Sequence, residues 1–225
     1  GAPCGPHGLA HSADGKRLYV TCEERQEIAV VDLATRTLLY SIPTGQSQSH
    51  QLIISRDEAR AYVANFSAGT VTVIDLKTRL ILKQISTGPG TEGIGLSPDD
   101  RTLFATSVFG STLSKIDTTS LQVTASVATE KSPIRVSATP DGKYLLINSS
   151  STGYLLVHDQ KTLQLIKKIK VGNQPIGLSV PNDDVAFAAN MKDGTVSVID
   201  LGKLEVSYVL NTGARPDGLT YIPAH

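Results

Sequence analysis

The sequence predicts an all-β fold, a β-propeller of four-stranded antiparallel blades, on three observations. A three-residue mark recurs six times, with middle residues 43, 42, 42, 42 and 41 apart, and a unit of about 40 to 45 residues suits a four-stranded blade. The composition, 40% hydrophobic and 19% charged with 19 Gly and 11 Pro, is that of a folded chain. Between the marks, short β-branched or aromatic runs are bounded by Gly, Pro, Asp or Ser. The marks are Pro6-His7-Gly8, Ser49-His50-Gln51, Thr91-Glu92-Gly93, Pro133-Ile134-Arg135, Pro175-Ile176-Gly177 and Pro216-Asp217-Gly218.

The second repeat gives the order of elements within a blade. An inner strand is predicted at residues 52–54, a second strand at 61–65, a third strand at 71–75 and a fourth strand at 80–85. The other second strands are predicted at 18–22, 103–107, 144–149 and 186–190. The other third strands are predicted at 28–32, 112–117, 154–159 and 196–200.

The repeats predict one β-propeller domain over residues 1–225. Its units are expected at about 5–45, 46–88, 89–129, 130–172 and 173–213, with a partial unit at 214–225. The partial unit holds only an inner strand, predicted at 218–222, which gives five full blades plus one extra inner strand. Because the strands do not divide into whole four-stranded blades, we expect the chain to be part of a larger ring. The competing interpretation is a complete five-bladed ring with a redundant last strand.

Charge and hydropathy exclude some classes of partner. Lys plus Arg and Asp plus Glu are 21 each, so no net field attracts nucleic acid or an anionic membrane. No run approaches the roughly 18 apolar residues of a membrane span, and the given chain shows no signal peptide. An incomplete ring would expose blade faces that favour self-association.

Several motifs resemble the YVTN-type β-propeller repeat family, which includes YncE-like and surface-layer-type propellers. These motifs are Tyr19-Val20-Thr21-Cys22, Tyr62-Val63-Ala64-Asn65, Asp14-Gly15, Asp141-Gly142, Val73-Ile74-Asp75 and Val198-Ile199-Asp200. The resemblance implies a seven-bladed ring, which at this period would need roughly 290 residues, so the chain is expected to be part of such a ring. The resemblance implies a periplasmic or extracellular location as well. It also brings in two activities known among relatives, lactone hydrolysis and single-stranded DNA binding.

The carboxylates that recur in every blade are interpreted as structural. An aspartate at a strand exit accepts backbone N–H groups of the following turn, whereas a catalytic acid has no reason to recur in each blade. The third strands end in Asp32, Asp75, Asp117, Asp159 and Asp200. The first turns hold Asp14, Asp57, Asp99 and Asp141.

The middle residues of the marks are the candidates for chemistry, because all six are expected to surround one mouth of the central channel. His7, His50 and Glu92 come from three consecutive blades and could bind a divalent transition metal, with Asp217 joining from the far side. The alternative is a polar, water-filled mouth without a bound ion. The sequence indicates no other cofactor.

Cys4 and Cys22 are expected on the same face as His7. Three interpretations remain open: a disulfide, two free thiols, or extra ligands beside His7. The disulfide is favoured, because facing ends of neighbouring strands could meet its Cα separation of roughly 5.5 Å.

The leading functional hypothesis is a noncatalytic propeller scaffold that binds a protein, a cell-envelope component or a small ligand through its loop face and channel mouth. It rests on the lack of a strong catalytic constellation and on the fold. The alternative is a metal-dependent hydrolase, lactonase or oxidoreductase with its site at the mouth. Binding of single-stranded DNA is less favoured, since the chain is neutral and lacks a basic, aromatic-rich groove.

Overall fold

The computed structural model describes residues 3–221, which form five four-stranded antiparallel sheets. In each sheet, strands that are consecutive in sequence are hydrogen-bonded neighbours. Blade one consists of β1 (Pro6–His11), β2 (Arg17–Cys22), β3 (Glu27–Asp32) and β4 (Thr37–Pro43). Blade two consists of β5 (Ser49–Ile54), β6 (Arg60–Asn65), β7 (Thr70–Asp75) and β8 (Leu80–Ser86). Blade three consists of β9 (Thr91–Leu96), β10 (Thr102–Ser107), β11 (Thr112–Asp117) and β12 (Gln122–Ala128).

Blades four and five repeat this arrangement. Blade four consists of β13 (Pro133–Ala138), β14 (Tyr144–Ser149), β15 (Tyr154–Asp159) and β16 (Leu165–Lys170). Blade five consists of β17 (Pro175–Ser179), β18 (Val185–Asn190), β19 (Thr195–Asp200) and β20 (Glu205–Asn211). The all-β fold of four-stranded blades is therefore confirmed. Within residues 3–221 there is no helix long and apolar enough to cross a membrane.

The extra inner strand expected at residues 218–222 does not form where the structure describes it. Residues 218–221 have no strand conformation, and Ile222 lies outside the described residues. A strand needs a ladder partner for its backbone groups, and no second strand follows in the described chain. The segment nevertheless lies against blade five, because a Cβ added to Gly177 would collide with the carbonyl oxygen of Asp217.

The core is divided into layers between consecutive blades. Tyr19, Ile28 and Val30 of blade one pack against Val63 and Ile74 of blade two. Corresponding clusters join blades two and three, three and four, and four and five. Among the described residues, no such cluster joins blade five to blade one.

The inner strands of the five blades and residues 217–220 surround a central channel of about 880 Å³. Glycines on these strands allow the blades to converge. A Cβ at Gly93 would lie 2.6 Å from Oγ1 of Thr106 and 2.8 Å from the carbonyl oxygen of Ile134 in the next blade. Only glycine fits at so close an approach.

Candidate functional site

The middle residue of each of the first five marks lies at a β-bulge at the top of an inner strand. In blade two, Ser49 pairs with Asn65 and Gln51 pairs with Ala64, which leaves His50 between them without a partner residue. A bulge leaves its extra residue outside the ladder and redirects the side chain. The pairing of the first two strands is interrupted at the same place in the other blades, at His7, Glu92, Ile134 and Ile176.

These side chains meet at one end of the channel. A cavity of about 260 Å³, called the channel mouth below, is lined by His7, Gln48, His50, Phe66, Glu92, Ile134, Arg135, Ile176 and Asp217. All six middle residues therefore surround one mouth, as the repeat predicts. The structure brings His7, His50, Glu92 and Asp217 into the same cavity although 210 positions separate the first from the last (217 − 7).

His7 and His50 lie against each other with their ring centroids 3.5 Å apart. The amide of Gln51 donates a hydrogen bond to Nδ1 of His7 at 3.2 Å. Partial burial, and then the positive charges of His50 and Arg135, lower the pKa of His7. His7 therefore presents a neutral imidazole at neutral pH.

His50 lies between two carboxylates. Its Nδ1 contacts Glu23, and its Nε2 lies 3.3 Å from Oε1 of Glu92. Burial alone would lower the pKa of His50, but the hydrogen bonds and charges of Glu92 and Glu23 outweigh burial and raise this pKa. Both ring nitrogens can donate to these carboxylates only in the imidazolium form.

Glu92 is the buried counter-ion of the mouth, with a relative exposure of 7%. Nη1 of Arg135 donates to its Oε1 at 2.7 Å. Burial would raise the pKa of Glu92, yet the hydrogen bond from His50 and the charge of Arg135 lower it. Glu92 is therefore ionised and already paired on two sides.

Three side chains bring possible metal-ligand atoms close together. One possible ligand atom from each of His7, Glu23 and His50 lies within 4.8 Å of the other two. The sequence predicted His7, His50 and Glu92 as the metal ligands. In the group whose ligand atoms lie closest together, Glu23 stands in place of Glu92. A signal for Glu23 was present, because it directly follows Cys22, which was expected on the same face as His7.

A disulfide joins Cys4 to Cys22, with a Cα separation of 4.6 Å. The N–H of Glu23 donates to the carbonyl of Gly5 at 3.1 Å, next to the bridge. The bridge and this hydrogen bond fix the start of the loop that carries Glu23.

An aromatic row leads from the mouth to the loop face. The Phe66 ring centroid is 5.8 Å from that of His50, and the Phe109 ring meets Phe66 edge-on at 5.3 Å. Phe109 is 69% exposed. Neither phenylalanine is a site residue that the sequence predicts, since both occupy loop positions with no repeat pattern.

The recurrent aspartates are structural, as predicted. Asp75, for example, accepts the backbone N–H of Thr78 at 2.6 Å, and Asp57 accepts that of Ala59 at 2.9 Å. The corresponding residues of the other blades accept backbone N–H groups in the same turns.

The fold and the mouth define a β-propeller protein with a polar, histidine-containing channel entrance. The family model of the cytochrome D1 heme domain matches residues 13–139, which is more than half of the 225-residue chain. The chain belongs to this family. The propeller implied by the YVTN-type motifs is thus confirmed, while the family that matches is the cytochrome D1 heme domain.

A solved structure shares the fold at low sequence identity. Hydrazine synthase of Kuenenia stuttgartiensis matches with a TM-score of 0.72 and 16% identity, covering 97% of this chain and 90% of that chain. No curated protein sequence matches the chain.

The family name raises the question of whether the mouth fits a heme. A heme needs an axial ligand for its iron and also room for the whole macrocycle beside that ligand. The His7 ring lies flat against His50 with the ring centroids 3.5 Å apart, so the space over one face of the His50 ring is already occupied. The mouth is also smaller, at about 260 Å³, than the roughly 300 to 1,000 Å³ of ordinary ligand pockets. The mouth does not fit a heme.

Proposed function

We propose that this protein is a noncatalytic binding propeller whose channel mouth holds a divalent transition-metal ion, with His7, Glu23 and His50 as ligands. The observation that carries the proposal is the meeting of their ligand atoms within 4.8 Å. Imidazole and carboxylate groups suit Zn, Fe, Cu or Mn, and three protein ligands leave positions open for a further molecule.

Proton and metal ion compete at this site. Ligands must be deprotonated to bind a metal, so an ion replaces the proton that His50 shares with Glu23 and Glu92. We therefore expect metal affinity to rise with pH through the range in which His50 titrates. Glu92, paired with Arg135, remains beside His50 as a balancing negative charge.

The test is elemental analysis of protein purified without chelator. Near-stoichiometric metal is expected in the wild type, and a large loss in His7→Ala, Glu23→Gln and His50→Ala. His11→Ala is the matched control, because His11 lies on the same inner strand and is absent from the cluster. Absence of metal, together with a Tm that Zn, Cu, Mn and Fe all leave unchanged, would contradict the proposal.

A heme titration distinguishes binding of a metal ion at the mouth from binding of heme, the ligand in the name of the matching family. Because the mouth does not fit a heme, we expect no heme absorbance change that depends on His7 or His50. A spectral change abolished by His7→Ala and His50→Ala would instead favour heme at this mouth.

The proposal also covers the cellular location of the protein. We infer a periplasmic or extracellular protein, and the Cys4–Cys22 disulfide supports this, since disulfides persist in oxidising compartments. The YVTN-type motifs support the same location. A metal-dependent enzyme at this mouth would show hydrolytic or redox turnover that disappears in Glu23→Gln, whereas a scaffold would show binding alone.

A further inference from the structure

Phe66 and Phe109 occupy positions where the fold does not require aromatic residues. The loop position of Phe109 is taken in the other four blades by polar residues, Glu24, Ser67, Ser151 and Lys192. Phe109 is 69% exposed and therefore contributes little to the core. A single exposed apolar side chain is ordinary, whereas contiguous exposed apolar surface marks binding sites. Phe109 is part of such a surface, because its ring contacts Phe66, which lines the mouth.

The Phe109 ring nevertheless packs against the protein surface on one side. A Cβ on Gly90 would lie 2.8 Å from Cδ2 of Phe109, so the ring rests on the glycine backbone. The edge-on contact with Phe66 then continues this surface to the mouth. Phe66 is thereby held as a wall of the cavity that His7 and His50 also line.

Apolar side chains also line the other side of the mouth. Blades four and five contribute Ile134 and Ile176, where blades one to three contribute His7, His50 and Glu92. The cavity thus combines apolar walls with one cluster of metal-binding groups. Its volume of about 260 Å³ limits the occupant to a small molecule.

We propose that the mouth binds a single-ring aromatic molecule with two neighbouring oxygen donors, the chemistry of a catechol. The ring packs between Phe66 and the isoleucines, and the oxygens coordinate the ion on His7, Glu23 and His50. This inference rests on the proposed metal site. Packing against the aromatic side chain favours a flat ring. The open coordination positions of the ion favour a ligand with two neighbouring oxygens.

The test is calorimetric titration of catechol into Zn²⁺-loaded protein, since zinc has no redox chemistry. Phenol, with one oxygen, and cyclohexane-1,2-diol, without a planar ring, are the ligand controls. We expect catechol to bind more tightly than either. Phe66→Leu and Phe109→Leu should each weaken catechol binding by about three- to tenfold, the range of a lost aromatic pair. Phe187→Leu, on the outward face of blade five, should leave catechol binding unchanged.

Zinc content, measured on every sample, separates the two proposals. Bound zinc with no catechol binding, or with equal affinity in wild type, Phe66→Leu and Phe109→Leu, overturns this inference and leaves the metal site standing. Wild type without zinc overturns both. Equal affinity for catechol and cyclohexane-1,2-diol overturns the aromatic selection and with it the proposed ligand class.

Discussion

The histidines illustrate how local surroundings decide the chemistry of one residue type. His7 is neutral because of partial burial and the nearby cations, whereas His50 is held charged by two carboxylates. The third case is His158, which is 2% exposed and whose Nδ1–H donates to the carbonyl of Leu163 at 2.9 Å. No group among the described residues forms a hydrogen bond with its Nε2. Burial lowers the pKa of His158, with the Leu163 hydrogen bond acting weakly in the opposite direction.

The lowered pKa of His158 predicts a loss of stability in acid. The unfolded histidine takes up a proton near its ordinary pKa of about 6.5, while the folded one stays neutral to lower pH. The free energy of unfolding therefore falls as the pH drops below about 7, down to the folded pKa. Ile occupies this strand position in Ile74 and Ile199, so His158→Ile should flatten the pH dependence in urea unfolding between about pH 7 and 5. The converse variant Ile74→His should steepen it, and an unchanged slope in both would refute this role.

At the scale of the elements, the sequence predicts the strands well because the same pattern of four strands recurs in five repeats. The third strands of blades three and four, at residues 112–117 and 154–159, begin and end as predicted. Most other bounds differ by a residue or so, and β5 begins at Ser49 rather than at 52. That difference has a cause: the inner strand includes the mark itself and passes through the bulge at His50.

The site was predictable only in part. The period brings the middle residues of the marks to one mouth, because equal spacing places them at equivalent positions in successive blades. Glu23, Phe66 and Phe109 lie in loops whose sequences differ from blade to blade, so periodicity gives no information on them. Their contacts depend on side-chain directions that only the folded loops define.

Because the inner strands approach one another closely, replacing a glycine by alanine is expected to lower the free energy of unfolding at some inner-strand positions and not at others. Gly93→Ala brings a Cβ to within 3 Å of two oxygens, and overpacking of this kind costs about 1–3 kcal/mol. Gly218→Ala is the matched control, since a Cβ there meets nothing within 4 Å. Urea unfolding should show a loss for Gly93→Ala and almost none for Gly218→Ala. Equal effects would mean that blade convergence does not depend on the glycine.

At the scale of the molecule, each blade presents one residue of its second strand to the next blade. Tyr19, Tyr62, Phe104 and Leu146 occupy this position in blades one to four and are at most 2% exposed. Phe187 is the residue of blade five and is only half-buried. On blade one, the opposite face carries Leu18 and Val20, which are also half-buried, whereas Ala61 and Leu103 at the position of Leu18 are fully buried. In the described chain, the first and fifth blades thus each have one face without a blade against it.

The unequal burial of these equivalent residues predicts unequal costs of truncation. Phe104→Ala removes a ring packed between blades three and four and should cost about 3–5 kcal/mol of unfolding free energy. Phe187→Ala removes a ring that already contacts solvent, so its loss should be clearly smaller, because less apolar surface is withdrawn from the core. Urea unfolding of both variants at several protein concentrations gives the comparison. A cost at Phe187 equal to that at Phe104 would show that this face is covered in solution. Dependence on protein concentration would then identify a second copy as the cover, and independence would favour closure within one chain, the five-bladed ring that is the competing interpretation of the repeats.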